Sequence, residues 1–316
     1  MTDVQILTAR DVPLGGVRAI DVRRTLPHKS RSLVGAWCFA DHYGPQPVGA
    51  GNDGGMDVPP HPHTGLATVS WLFEGTIEHR DSDGVVAPVL PGEVNLMNAG
   101  RGIAHSEVSI APTTVLHGVQ LWVALPREHR DGPRDFQHHT PAAAPLPGEA
   151  GTARVFIGDL LGVDASPVHT HTPLLGAQLD LAADTATTLR VDPAFEHAFL
   201  LDEGELTVEG VDIAHAELGI VDPGPDTLTV TAGPQGARVI LLGGAPFEED
   251  VVMWWNFLGT DHDDIVAARQ EWQDRADRFG EVPGYGGVTS WLPAPELPKV
   301  RLRPRTRNVA EPPACS

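Results

Sequence analysis

No apolar stretch in this 316-residue chain approaches the ~20 residues that a membrane-spanning helix needs. The opening residues, MTDVQILTARDV, hold no basic segment followed by an apolar run, so no secretory signal is expected and the cytoplasm is the default location. Cysteine is nearly absent. Cys38 and Cys315 are far apart in sequence, and although one disulfide is formally possible, nothing indicates a disulfide framework. Positive charge is also scarce: 22 Lys and Arg against 42 Asp and Glu give a net charge of −20. An electrostatic grip on nucleic acid or anionic lipid is therefore not expected. One segment runs the other way. Lys299, Arg301, Arg303, Arg305 and Arg307 form a basic tail, read as a solvated or loosely docked terminus that offsets acidic surface.

What the chain does have is a hydrophobic content of 41%, with 34 glycines and 29 prolines. That length and content suit two domains with their own cores, built from many short strands and tight turns. Val119, Leu121, Val123 and Leu125 alternate with Gly118, Gln120, Trp122 and Ala124, a period of two that puts one face on a core. Asp81-Ser-Asp-Gly84, Pro91-Gly92 and Pro223-Gly224 mark turns. From 127 to 151 the sequence becomes polar and rich in Pro, Ala and His, which marks the domain connection. The expected division is 1–135 for a first domain, 136–150 for the connection, 151–291 for a second domain and 292–316 for the basic, Pro-containing tail.

A helix is expected over about 262–279, within the second domain. Thr260 or Asp261 caps it, Asp263 and Asp264 favour its dipole, and Ile265, Ala268, Trp272, Ala276 and Phe279 make one apolar stripe before Gly280. The preceding Met253-Trp-Trp-Asn-Phe257 cluster reads as core or interface filling rather than a ligand box. The chain also repeats itself. Leu72-Phe-Glu-Gly75 resembles Leu201-Asp-Glu-Gly204, and Leu96-Met-Asn-Ala-Gly100 resembles Ile220-Val-Asp-Pro-Gly224, in the same order. Duplication of an all-β unit implies two similar barrels.

The strongest chemical pattern is Pro60-His61-Pro62-His63 together with Ala104-His105-Ser106-Glu107. On a strand, residues i and i+2 project to the same side, so each pair points together. Neighbouring strands would bring the four groups to one place. Three imidazoles and a carboxylate suit Fe(II), Mn(II), Ni(II), Cu(II) or Zn(II) and leave open positions on an octahedral ion. Structural zinc would more often use cysteine. His138 and His139 read as solvated. His169 and His171 share the spacing but lack a second ligand pair, so they read as non-metal.

His-Pro-His at 61–63, Leu72-Phe-Glu-Gly75, Glu78-His-Arg-Asp-Ser82 and Ala99-Gly-Arg-Gly-Ile-Ala-His-Ser-Glu107 together resemble the signature of the pirin family, within the cupin superfamily. The resemblance extends more loosely over most of the chain. It implies an all-β fold of two packed cupin barrels (double-stranded β-helix, or jelly roll) with a C-terminal α-helix. It further implies one metal, iron in most pirins, in the first barrel on His61, His63, His105 and Glu107. One departure is Ala67, where pirins often carry Glu, and it is expected to alter the pocket or the surroundings of the ligands.

Carried through the repeat, the four ligands correspond to Arg190, Asp192, Thr229 and Thr231, so one divalent metal per chain is expected. Some pirins resemble quercetin 2,3-dioxygenases. That implies a ring-opening dioxygenase acting on flavonol-like aromatics with dioxygen, and Glu107 as the general base that takes the flavonol hydroxyl proton. The alternative is a metal- or redox-dependent regulatory protein that binds a protein partner, as pirins implicated in transcription do.

Overall fold

The computed structural model describes residues 2–14, 20–48 and 55–305. Turn chemistry divides the chain into short strands. At Asp81-Ser-Asp-Gly84 the Asp81 carboxylate accepts from the backbone N–H of Asp83 (2.9 Å) and Val85 (3.0 Å), and Gly84 takes a φ of +87°. A side-chain acceptor and a residue free to adopt positive φ close this turn between the paired strands Ile77–Asp81 and Val86–Val89.

The first unit is a jelly roll of two facing antiparallel sheets. One has the strand order Asp135–His139, Val94–Asn98, Leu66–Glu74, Val115–Ala124, Trp37–Pro47, Ile20–Leu26, Arg10–Leu14. The other runs Asp57–His63, Ile103–Ser109, Ile77–Asp81, Val86–Val89. The second unit is built on Glu196–Val208 and Thr227–Gly244, with Leu174–Leu181 beside the latter and Gly151–Ile157 next in order. The hydrogen-bonded paths do not close into cylinders, so both units are jelly rolls rather than closed barrels. The repeat is visible in the pairing. Leu66–Glu74 lies between Val94–Asn98 and Val115–Ala124, as Glu196–Val208 lies between Leu218–Val221 and Thr227–Gly244. Gly75 and Gly204, matched by the repeat, have φ of +93° and +86°.

Segments cross between the units in ways that composition did not show. Gln5–Leu7 pairs with Leu218–Val221 of the second sheet. Asp135–His139 adds to the first sheet beside Val94–Asn98, so the connection starts later than residue 136. Its polar residues suit an exposed edge strand as well as a linker, and composition cannot separate the two. The helix, His262–Gln273, is capped by Asp261, whose side chain accepts from Asp263 N and Asp264 N. It is shorter than the expected 262–279, because Arg275 turns to a φ of +57°. Phe279 nonetheless packs on Trp272, with ring centroids 5.3 Å apart, so the apolar stripe outlasts the helix. The helix follows the second unit in sequence, and its buried face shares one cluster with Val252, Phe257 and, from the first unit, Ala104. Within the tail, Arg301 pairs with Asp263 at 2.9 Å. Arg307 and Cys315 lie outside the described residues, and Cys38 is a buried free thiol.

The alternating strand Val115–Ala124 has both faces buried. Val119, Leu121 and Val123 share one core cluster with Phe156, Leu200, Ile240 and Leu242 of the second unit. Gln120 and Trp122 line a cavity inside the first unit. The predicted apolar face thus packs against the other jelly roll.

Polar ties cross the same interface. Trp37 Nε1 donates to Gly243 O at 3.0 Å, and Trp71 Nε1 to Gln178 Oε1 at 2.8 Å. Asp202 of the second unit reaches His42 Nε2 at 2.5 Å and His117 Nε2 at 2.6 Å, and also pairs with Arg238. Burial pushes the Asp202 carboxyl up, but hydrogen bonds from His117 and His42 outweigh it, and the group lies well below the usual carboxylate range. A depressed folded-state value means stability that is fully present above the unfolded value of about 4 and lost as pH falls through the folded one. Asp202→Ala, which strips a buried acceptor from three donors, should cost about 3 kcal/mol at pH 7 and much less near pH 2. Denaturant midpoints at the two pH values check this; an equal loss at both would contradict it.

Candidate metal centre

The His-Pro-His segment lies on Asp57–His63, an edge strand. Only an edge tolerates three prolines within seven residues, because proline cannot donate to a ladder. Its neighbour in the sheet, among the described residues, is Ile103–Ser109, in antiparallel register with His105 opposite His61. The register shifts between His105 and Glu107, and Glu107 lies opposite Val58. His61, His63, His105 and Glu107 are all buried.

The three imidazoles converge, with ring centroids 4.4 Å apart for His61 and His105, 4.9 Å for His63 and His105, and 5.0 Å for His61 and His63. His61 Nδ1 donates to Pro59 O at 2.8 Å, and His63 Nδ1 to Asn256 O at 3.2 Å. Those bonds fix the protons on Nδ1 and leave each Nε2 lone pair facing inward. His63 Nε2 and His105 Nε2 then lie 3.0 Å apart. That separation suits two ring nitrogens converging on one cation, and in the metal-free chain a single proton carried by His105 can bridge it. The donor set therefore fits a divalent transition metal. Burial holds His61 down to about 4 and His63 and His105 well below the usual imidazole range, so all three are neutral at pH 7, as ligation requires.

Glu107 faces the same cavity as His61 and His63. Burial pushes its carboxyl up, against opposing pulls from His79 and from the Ser70 hydrogen bond. Ser70 Oγ lies 3.3 Å from Glu107 Oε1 and 2.9 Å from Gln120 Oε1. The cavity holds about 290 Å³. Phe39 and Trp122 stack at 4.0 Å along one wall, and the Arg24 guanidinium lies 4.1 Å over Phe39. Trp255, Asn256 and Leu292, from the C-terminal segment, complete the enclosure. The Met253–Phe257 cluster is therefore partly a cavity wall, against the expectation of filling alone. Its role depends on a chain crossing between the units, which local sequence does not disclose.

Other expectations also meet the structure here. Ala67 does not face the ligands. It lines a separate cavity of about 300 Å³ between the units, with Leu96, Val123, Leu125, His129 and His171. On its strand Ser70 faces the ligands, and residue 67 takes the opposite side by alternation. His169 is exposed. His171 stacks on His129 at 4.1 Å and lies 3.2 Å from Asn98 Nδ2. Arg190, Thr229 and Thr231 are exposed on the second unit, while Leu228, Val230 and Ala232 are buried in its core. Among the described residues, the groups of three with metal-ligand spacing are His61, His63, His105; His79, His105, Glu107; and His42, His117, Asp202. The last is a hydrogen-bonded tie whose carboxylate Arg238 already neutralises.

Residues 19–123 match the model of the pirin family, and residues 176–280 match that of the pirin C-terminal cupin domain. The chain belongs to the pirin family. This pirin is 43% identical to a Pseudomonas aeruginosa protein carrying the provisional name quercetin 2,3-dioxygenase, over 93% of this chain and 91% of that protein. It is 35% identical to a pirin-like protein of Caulobacter vibrioides, over 85% of this chain and 92% of the other. The crystal structure of a quercetin 2,3-dioxygenase from Acinetobacter baumannii superposes with a TM-score of 0.87 at 38% identity, covering 95% of this pirin and 97% of that chain. No helix of the described residues is long and apolar enough to cross a membrane.

Each jelly roll has its own apolar core, so this pirin should not depend on metal to fold. Exhaustive chelation is expected to leave the β-rich circular dichroism intact while lowering the melting temperature. Global unfolding on chelation would show a structural site instead.

Proposed function

We propose that this pirin is a metal-dependent dioxygenase that opens the ring of flavonol-like aromatics, with one divalent metal, Fe(II) in the first instance, held by His61, His63, His105 and Glu107. The observation that carries the reading is a buried, neutral three-histidine cluster with a carboxylate at the end of an aromatic-walled cavity. The metal would supply Lewis acidity toward the flavonol hydroxyl and carbonyl and an open position for dioxygen. The chain supplies the rest. Phe39, Trp122 and Trp255 offer flat apolar surface to an aromatic ring system. Arg24, pinned by Asp41 at 2.6 and 2.7 Å, keeps Phe39 in place. Glu107 takes the flavonol hydroxyl proton, and Ser70, seated against Gln120 and 3.3 Å from Glu107 Oε1, positions the carboxylate. The surrounding apolar wall excludes water from the reacting ring.

Similarity to the Pseudomonas and Acinetobacter proteins named for this activity supports the same reading. The test is an anaerobic titration of quercetin into metal-replete protein, followed by absorbance. The flavonol band should shift to its deprotonated form at about one equivalent, and should not shift with chelated protein. No shift in the replete protein would count against flavonols as substrates.

A further inference from the structure

We propose that His79, backed by Asp81, is the positioning residue of the metal centre, accepting the Nδ1–H of His105 and so turning His105 Nε2 toward the metal. The proposal rests on the metal reading above. Each ligand imidazole must place its Nδ1 proton on an acceptor to leave Nε2 free. For His61 and His63 the acceptors are the main-chain carbonyls of Pro59 and Asn256. At His105 the group is a side chain, with His79 Nδ1 3.3 Å from His105 Nδ1.

Two facing ring nitrogens share one proton, so one donates and the other accepts. With a metal held between them, His105 Nε2 and His63 Nε2, 3.0 Å apart, would both present lone pairs, which puts the proton on His105 Nδ1 and makes His79 the acceptor. His79 then carries its own proton on Nε2, and Asp81 Oδ2 lies 3.4 Å from that atom. Asp81 is held in turn by the turn it builds, its Oδ1 accepting from Asp83 N and Val85 N. His79 is buried and packs on Phe136 with ring centroids 5.0 Å apart, which limits rotation. Carboxylate, imidazole and ligand imidazole thus form one line across two paired strands, with His79 opposite Glu107 and Asp81 opposite His105.

His79 also groups with His105 and Glu107 at ligand-like spacing. It sits on the Nδ1 side of His105, however, behind the ring from the cluster formed with His61 and His63. That is the place of a supporting group rather than a fifth ligand.

The test uses the full chain, stripped of metal and titrated with Ni(II) by calorimetry. His79→Phe keeps ring bulk without an acceptor, His79→Asn restores an amide oxygen, and Asp81→Asn removes the charge behind. His79→Phe should weaken Ni(II) by about 10- to 100-fold with stoichiometry kept, and His79→Asn should recover much of the loss. Nitrogen-15 spectra of the Zn(II)-loaded protein give a readout that general destabilisation would not move. The His105 Nδ1–H should be shifted and protected from exchange by its hydrogen bond to His79 in wild type, and should lose both features in His79→Phe. If His79→Phe does not fold, Asp81→Asn carries the test, with a several-fold weaker Ni(II) dissociation constant expected. Wild-type affinity in a folded His79→Phe, or an unchanged His105 Nδ1–H signal in the Zn(II)-loaded variant, overturns the proposal while leaving the metal reading intact. A wild type that takes up no metal overturns both.

Discussion

Replacing His61 and His63 together by Ala should empty the centre, taking metal content after dialysis from about one ion per chain to near zero. The pair supplies two of the three inward Nε2 atoms, and His105 and Glu107 alone are too few donors to retain a first-row divalent ion against competing water. Replacing His169 and His171 should leave the content unchanged, since His169 is exposed and His171 is engaged by His129 and Asn98. The second jelly roll is expected to add none, because Thr229 and Thr231, matched to the ligands by the repeat, are exposed and their neighbours Leu228, Val230 and Ala232 fill its core. Elemental analysis of the two variants beside wild type decides this. Stoichiometric metal retained by the His61/His63 variant would refute the ligand assignment.

Glu107→Gln should lower flavonol turnover by about 10²- to 10⁴-fold at matched metal occupancy, the range typical for loss of a general base. The amide keeps the shape of the side chain, and its oxygen can still coordinate beside three imidazoles, though more weakly. What it cannot do is take a proton. Burial already favours a protonated Glu107 in the metal-free chain, and Ser70 opposes that by donating to its Oε1. Ser70→Ala should therefore reduce turnover in the same direction and by less. Equal turnover in wild type and Glu107→Gln would reject the carboxylate as base.

Much of this centre was legible in the sequence because strand periodicity is short-range. His61 with His63, and His105 with Glu107, need only the period of two, and the structure makes their strands direct neighbours. The same rule applied to Glu78-His-Arg-Asp-Ser82 would have placed His79 and Asp81 on one side, where they stand behind His105. What local pattern could not carry was anything set by a long crossing. Asn256 reaches His63 across 193 residues, and Trp255 and Leu292 close the cavity only because the C-terminal segment returns to the first unit. Ala67 shows the converse failure. The Glu that pirins often carry at this position suggested an effect on the pocket or the surroundings of the ligands, but strand alternation puts residue 67 on the far face of the sheet. Val119, Leu121 and Val123 were correctly read as facing a core, though not that this core joins the two units.

Oxygen uptake by metal-replete wild type supplied with quercetin is the measurement on which the dioxygenase assignment stands. One molecule of dioxygen should be consumed for each flavonol opened, with no uptake by the chelated protein or by the His61/His63 double variant. No consumption by fully loaded wild type across several flavonols would contradict the assignment.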